Sequence, residues 1–176
     1  MKKTIFTYGL IGGVISAAWC TISVRVFPDS VSLNTRTWLG YTSMLVAFSV
    51  IFVAIKKYRD SFGGGVISFG KALRIGLLIT LVASTFYVVV WLISYYFFFP
   101  NFFEKYMGLL KLQMQADGES TAAIGKEIAG MAKYKDMYKN PVFNVLITYT
   151  EIAPVGIVIS LIAALILKNK QATVNA

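Results

Sequence analysis

The chain has 176 residues, 57% of them hydrophobic and 14% charged, with 17 basic against 8 acidic side chains and a mean hydropathy of +0.67. That leaves too little polar surface to wrap a soluble core of this size, so the composition specifies an integral membrane protein. Histidine is absent and Cys20 stands alone, which excludes an internal disulfide and the usual His/Cys metal sites; the dispersed basic residues point to anionic lipid headgroups rather than nucleic acid.

Met1-Lys2-Lys3 followed by apolar Ile5 to Val24 has the outline of a secretory signal. The apolar run is too long for one, and Trp19 occupies the position before Cys20 where cleavage needs a small residue. The expected element is an uncleaved first span over residues 5–24. Within it Gly9, Gly13 and Ala17 repeat every fourth residue, a small-residue stripe suited to close helix packing, in the first instance against the chain's own neighbours.

Residues 25–36 form a short connection in which Pro28, Asp29 and Asn34 are turn formers. A second span is expected over 37–55. Trp38 and Tyr41 are aromatic residues of the headgroup type at its start, and Gly40, Ser43 and Ala47 give it a small face.

The stretch from Tyr58 to Arg74, YRDSFGGGVISFGKALR, is then the turn to a third span over 75–97. Lys56, Lys57, Arg59, Lys71 and Arg74 surround it with Asp60 as the one acid, and basic residues in short loops mark the cytoplasmic face. Ser68 is placed to cap a helix whose N-terminus, with Lys71, faces anionic headgroups; a plain glycine turn with snorkelling lysines is the simpler reading. GVISFGK imitates a phosphate loop, but Ala72 replaces the hydroxyl residue that would hold magnesium and no strand precedes it, so no nucleotide is expected.

Span three carries Gly76, Thr80 and Ser84 at four-residue spacing and ends in Trp91 and residues 95–99, an aromatic belt before Pro100. Residues 101–140 read as two amphipathic helices. In the first, Asn101 and Glu104 resemble a capping box, and Phe103, Met107, Leu110 and Met114 share a face. Asp117-Gly118 breaks it. In the second, Ser120 is the expected N-cap and Ile124, Ile128, Met131, Tyr134 and Tyr138 form the stripe.

Span four is expected over 142–167, ending in Lys168 and Lys170, with Gly156, Ser160 and Ala164 as another small stripe. With four spans both termini share a side. Nine basic residues and one acid then fall on that side, against eight basic residues and six acids on the other, so termini-inside is expected. The fold class is an all-α membrane protein: one domain over 1–176, four transmembrane helices, and an extracytoplasmic helical hairpin at 101–140.

Glu151 is the one ionisable residue inside a span, roughly 25 Å of helix from Lys168 and so near the outer edge of the hydrocarbon core. Pro154 lacks an N–H and frees the carbonyl of Thr150, while Asn144, Thr148 and Thr150 add polarity. Arg25 lies at the matching depth on span one. Two readings follow: a proton or cation site at a broken helix, or a carboxyl paired with Arg25 that ties span four to span one.

Tyr58-Arg59-Asp60, Gly64, Gly65, Ile67 to Ala72, Gly76-Leu77, Asn140-Pro141 and Glu151 with Pro154-Val155-Gly156 together resemble the family known as domain of unknown function 4199, over nearly the whole chain. The resemblance implies a four-span bacterial inner-membrane protein with no assigned chemistry. With no histidine, no G-x-S-x-G elbow and no two acids in one span, no enzyme, cofactor or metal is expected. The leading functional expectation is a non-enzymatic interaction or assembly component with a membrane-protein partner or a second copy of itself; the alternative is a small transporter built on Glu151.

Overall fold

The structure, a computed structural model, describes residues 1–26, 28 and 30–169; Asp29 and Lys170 lie outside the described residues. Among the described residues there are α1 (Lys2–Val26), α2 (Leu33–Phe48), α3 (Val50–Phe62), α4 (Phe69–Ile93) with a π-helical turn Ser94–Phe98, α5 (Phe102–Ala116), α6 (Thr121–Tyr138) and α7 (Pro141–Leu167). Four helical runs are long and apolar enough to cross a membrane: Lys2–Val26, Leu33–Phe62, Phe69–Phe98 and Pro141–Leu167.

Each run is longer than the apolar stretch that marks it. Hydropathy records only the residues immersed in hydrocarbon, whereas the i→i−4 ladder continues into the polar zone for as long as the sequence allows. The Tyr58–Arg74 stretch is accordingly mostly helix, and only residues 63–68 form the turn. Gly64 and Gly65 take φ of 57° and 84°, the left-handed region that glycine enters without strain. Ser68 caps α4 by accepting from the Lys71 N–H, as expected. Ser49 marks the joint between α2 and α3: its Oγ donates to the Val46 carbonyl at 2.6 Å, a back-bond of the kind that bends helices.

Gly9 lies against Val82 and Gly13 against Phe86, so α1 and α4 run parallel; Thr80 meets Ser160 and Trp91 meets Asn144, so α4 and α7 run antiparallel. Met1, residues 63–68 and Asn169 therefore gather at one end of the bundle. There Ile67 and Asn169 exchange backbone hydrogen bonds of 3.0 and 2.9 Å, and the Asn169 side chain donates to the Gly65 carbonyl. Lys2, Lys3, Lys56, Lys57, Arg59, Lys71, Arg74 and Lys168 sit at this basic end. Arg59 pairs with Asp60, and the Lys71 ammonium lies over the Tyr58 ring at 5.2 Å.

The α5–α6 hairpin occupies the opposite end. Ser120 caps α6, but Asn101 makes no side-chain cap at α5, so the expected capping box does not form. The apolar stripes of α5 and α6 turn largely inward: Phe103 and Ile124 are buried, and Met107, Leu110, Met114, Ile128, Met131 and Tyr138 are half-buried, whereas Tyr134 of the expected stripe is exposed. Lys135 pairs with Glu104 across the hairpin and holds its carboxyl below the usual range. The Leu33 N–H donates to the Gln113 side chain at 3.0 Å, tying α5 to the start of α2.

The glycine stripes are consumed within the bundle. A Cβ on Gly9, Gly13 or Gly76 would fall within 3 Å of Val82, Phe86 or Ser160, and one on Gly156 would overlap Thr80 and reach within 2.9 Å of Phe48. Gly156→Val should therefore lower stability by roughly 1–3 kcal/mol through overpacking, whereas Gly108→Ala, in open space on α5, should gain about 0.5–1 kcal/mol. Thermal unfolding of purified protein in mild detergent reads both; an unchanged midpoint in Gly156→Val would contradict this packing.

Candidate functional site

The four membrane helices do not pack equally along their length. Toward the basic end the core is closed: Phe48, Ile51, Ile55, Ile75 and Ile79 have no solvent exposure. Toward the hairpin end the small residues give way to Trp19, Tyr41, Tyr87 and Trp91, and a cavity of about 680 Å³ opens between the last turns of α1, the first half of α2, α4 and α7. Its walls on α2 run from Leu33 to Met44, about 16 Å of helix. Phe98 to Phe102 and the α5 residues Lys105, Tyr106 and Leu109 cover it, so the hairpin roofs the space.

Glu151 lines this cavity and is exposed to it, although protein surrounds it on most sides. It stands close enough to Cys20, Tyr87 and Tyr138 to act on them electrostatically. Three basic residues line the same space, Arg25, Arg36 and Lys105. Arg36 also holds the α1–α2 connection through the carbonyls of Val31 and Pro28. Tyr138, at the end of α6, is pushed up to about 12 by burial and then by the Glu151 charge, so its phenol stays protonated at any ordinary pH.

Arg25 is not bonded to Glu151. Its guanidinium lies over the rings of Phe98 and Phe99, 5.7 and 5.6 Å from their centroids, and no ion pair joins it to Glu151 among the described residues. The reason is the aromatic turn itself. The π-helical Ser94–Phe98, closed by the Phe99 N–H to the Ser94 carbonyl, turns Phe98 and Phe99 toward the end of α1, and a planar cation stacks on aromatic faces.

The other expected members of the polar site separate. Thr148 is buried and donates to the Asn144 carbonyl at 2.7 Å, while Thr150 is exposed and donates back to Ile147. Pro154 is exposed, and α7 continues through it without a break, so the helix is not the broken kind expected of a transport site. Lys56, Lys57, Arg59, Ser68, Lys71 and Arg74 lie at the basic end, remote from the cavity. Gly9, Gly13, Ala17, Gly76, Gly156 and Ser160 form the helix contacts below it; Ser160 bridges the Gly156 carbonyl and the Thr80 hydroxyl.

Sequence reasoning assigned Trp91 to an interfacial belt, yet its indole N–H donates to the buried Asn144 side chain at 3.2 Å. Likewise Tyr87 donates to the Cys20 sulfur at 3.5 Å, joining α4 to α1 beside Glu151. The signal was available in part: each residue sits on the α4 face that also carries Thr80 and Ser84. Because Arg25 and Glu151 share no bond, the stability changes of Arg25→Ala and Glu151→Gln should add to within about 0.5 kcal/mol in the double variant. Thermal or denaturant unfolding of the four proteins checks this, and a double variant no less stable than the worse single one would restore the ion pair.

Comparison with curated proteins and with solved structures found no match. The family model described as "Protein of unknown function (DUF4199)" matches residues 7–169, which take in α1 from residue 7 onward, the whole of the other helices and the cavity lining. The expected resemblance is thus upheld: the chain belongs to the DUF4199 family.

Proposed function

We propose that this protein is a non-enzymatic interaction component of the bacterial inner membrane, with both termini cytoplasmic and the α5–α6 hairpin on the outer face. The observation that carries the reading is the cavity under the hairpin: a space of about 680 Å³, within the range of small-ligand sites, lined among the described residues by aromatic and hydroxyl side chains with Glu151, Arg25, Arg36 and Lys105. The charge asymmetry supports the orientation, since the basic end holds Asp60 as its one acid while charges of both signs mix in the hairpin. At the cytoplasmic face Lys56, Lys57, Arg59, Lys71 and Arg74 contact anionic headgroups.

Two grounds for this reading change with the fold. The small-residue stripes lie inside the bundle and the methionine stripes inside the hairpin, so neither is offered to a partner. What the hairpin presents instead are exposed apolar side chains, Leu112 on α5 beside the 30–33 connection and Tyr134 and Met137 on α6. A membrane-protein partner or a second copy of this chain would meet the molecule there, beside the cavity. Transport through the single chain has less support, because the closed core toward the basic end leaves no polar route beyond Glu151.

Extraction in mild detergent or polymer nanodiscs, followed by identification of whatever co-purifies, tests the proposal. We expect a protein partner or homo-oligomer that is lost when Leu112 and Tyr134 are replaced by Ser, with the monomer's unfolding temperature unchanged. Recovery of monomer alone from native membranes would contradict it.

A further inference from the structure

The helical run Leu33–Phe62 is gripped at its middle and loose at its outer end. At Ser49 the ladder is interrupted: the Val46 carbonyl receives both the N–H and the hydroxyl of Ser49, and the Phe52 N–H turns to the Ser49 carbonyl, three residues back. Around this joint the packing is tight. Ala47 and Phe48 on one side of it, and Ile51, Ala54 and Ile55 on the other, have no solvent exposure. Helix α1 closes on the same place, since a Cβ on Gly12 would come within 3.2 Å of the Ala47 carbonyl and 3.4 Å of the Val50 side chain. From Leu33 to Ser43, by contrast, no α2 residue is buried, and a Cβ on Gly40 would meet nothing within 4 Å. Behind this half of the helix lies the cavity, with Tyr87 and Trp91 of α4 across it.

We propose that the outer half of α2 is a hinged side wall, which swings about Ser49 and opens the cavity sideways to the bilayer. The lever arm makes the motion cheap. Leu33 is sixteen residues from Ser49, roughly 24 Å of helix, so a swing of about 10° carries it roughly 4 Å, while Ala47 beside the joint moves by about 0.5 Å. The buried side chains near the pivot therefore keep their contacts, and the part that travels furthest has no buried side chain to give up. A latch at the far end holds the wall closed. The Leu33 N–H is the first of α2 and has no partner within its own helix, and it donates to the Gln113 side chain of α5 at 3.0 Å. Phe102 of α5 packs edge-on to Trp91, so the latch ties the moving wall to a fixed one. Because the motion lies within one chain, the inference stands or falls separately from the co-purification result.

Spin-label distance measurements on the full chain in nanodiscs test it, in a Cys20→Ser background and with labelled protein diluted by unlabelled protein so that only distances within one chain are read. One label pair spans the cavity, Trp38→Cys with Val89→Cys, and a reference pair spans the closed core, Val53→Cys with Leu81→Cys; all four positions are exposed. The cavity pair should give the broader distribution. Gln113→Ala, which removes the latch, should lengthen its mean by about 3 Å and leave the reference pair unchanged. Ser49→Ala, at an exposed position, removes the back-bond and should narrow the distribution. An unchanged cavity-pair distance in Gln113→Ala would overturn the proposal. So would equal lengthening of both pairs, the result expected of a substitution that merely loosens the whole bundle. Equal widths for the two pairs in the protein without either variant would overturn it as well, a comparison that needs neither variant to fold.

Discussion

The close approach of α4 and α7 is the constraint on which the rest of the molecule depends. Where Gly76 faces Ser160 and Gly156 faces Thr80, the two backbones come together with no room for a further Cβ, and the Thr80 and Ser160 hydroxyls bond across the seam at 3.1 Å. In lipid there is no hydrophobic force between apolar helices, so van der Waals contact and interhelical hydrogen bonds must hold them, and small residues make both available. Further along the same pair the facing residues include Trp91, Asn144 and Tyr149. These bulkier side chains bond at longer reach, Trp91 to Asn144 at 3.2 Å and Tyr149 to Thr85 at 2.7 Å. One helix pair thus builds a tight half and a half with room for the cavity.

The two ends of the bundle are closed by different devices. At the basic end the chain from Asn169 is stitched to Ile67, which holds the α3–α4 turn against the end of α7 and keeps Lys168 beside the other lysines. At the other end an aromatic cluster does the work: Tyr138 stacks edge-on to Phe103 at 5.0 Å, and Trp91 to Phe102 at 5.2 Å. The Tyr96 hydroxyl donates to the Tyr138 carbonyl, so the hairpin is anchored to the end of span three. The roof over the cavity is therefore fixed from the side of α4, with a second anchor where Gln113 receives the Leu33 N–H.

Much of the fold was legible because it follows from local chemistry. Apolar runs of bilayer length located the four spans, Ser68 and Ser120 announced helix starts, and the i+4 repeat of Gly9, Gly13 and Ala17 identified a packing face. Helix ends were less legible, since Lys56 to Phe62 continue a helix that hydropathy alone would stop at Ile55. The site was read in part. Glu151 stood out as an intramembrane acid, but its neighbours come from three other helices, and no spacing along one helix reports that Cys20, Tyr87 and Tyr138 gather near it. Arg25 was placed at the right depth and assigned the wrong partner. Depth fixes which level a side chain reaches, whereas its rotation about the helix decides whether it meets a carboxylate or the faces of Phe98 and Phe99.

The bundle is open on the hairpin side and sealed on the basic side. Thiol accessibility in intact cells tests it most directly, in a Cys20→Ser background carrying either Ser43→Cys in the cavity wall or Thr80→Cys in the closed seam. With the hairpin outside, as proposed, a small membrane-impermeant reagent added outside should modify Ser43→Cys, and Thr80→Cys should resist it from either side. Modification of Thr80→Cys at a similar rate would show a continuous aqueous path through the chain and contradict a sealed basic side.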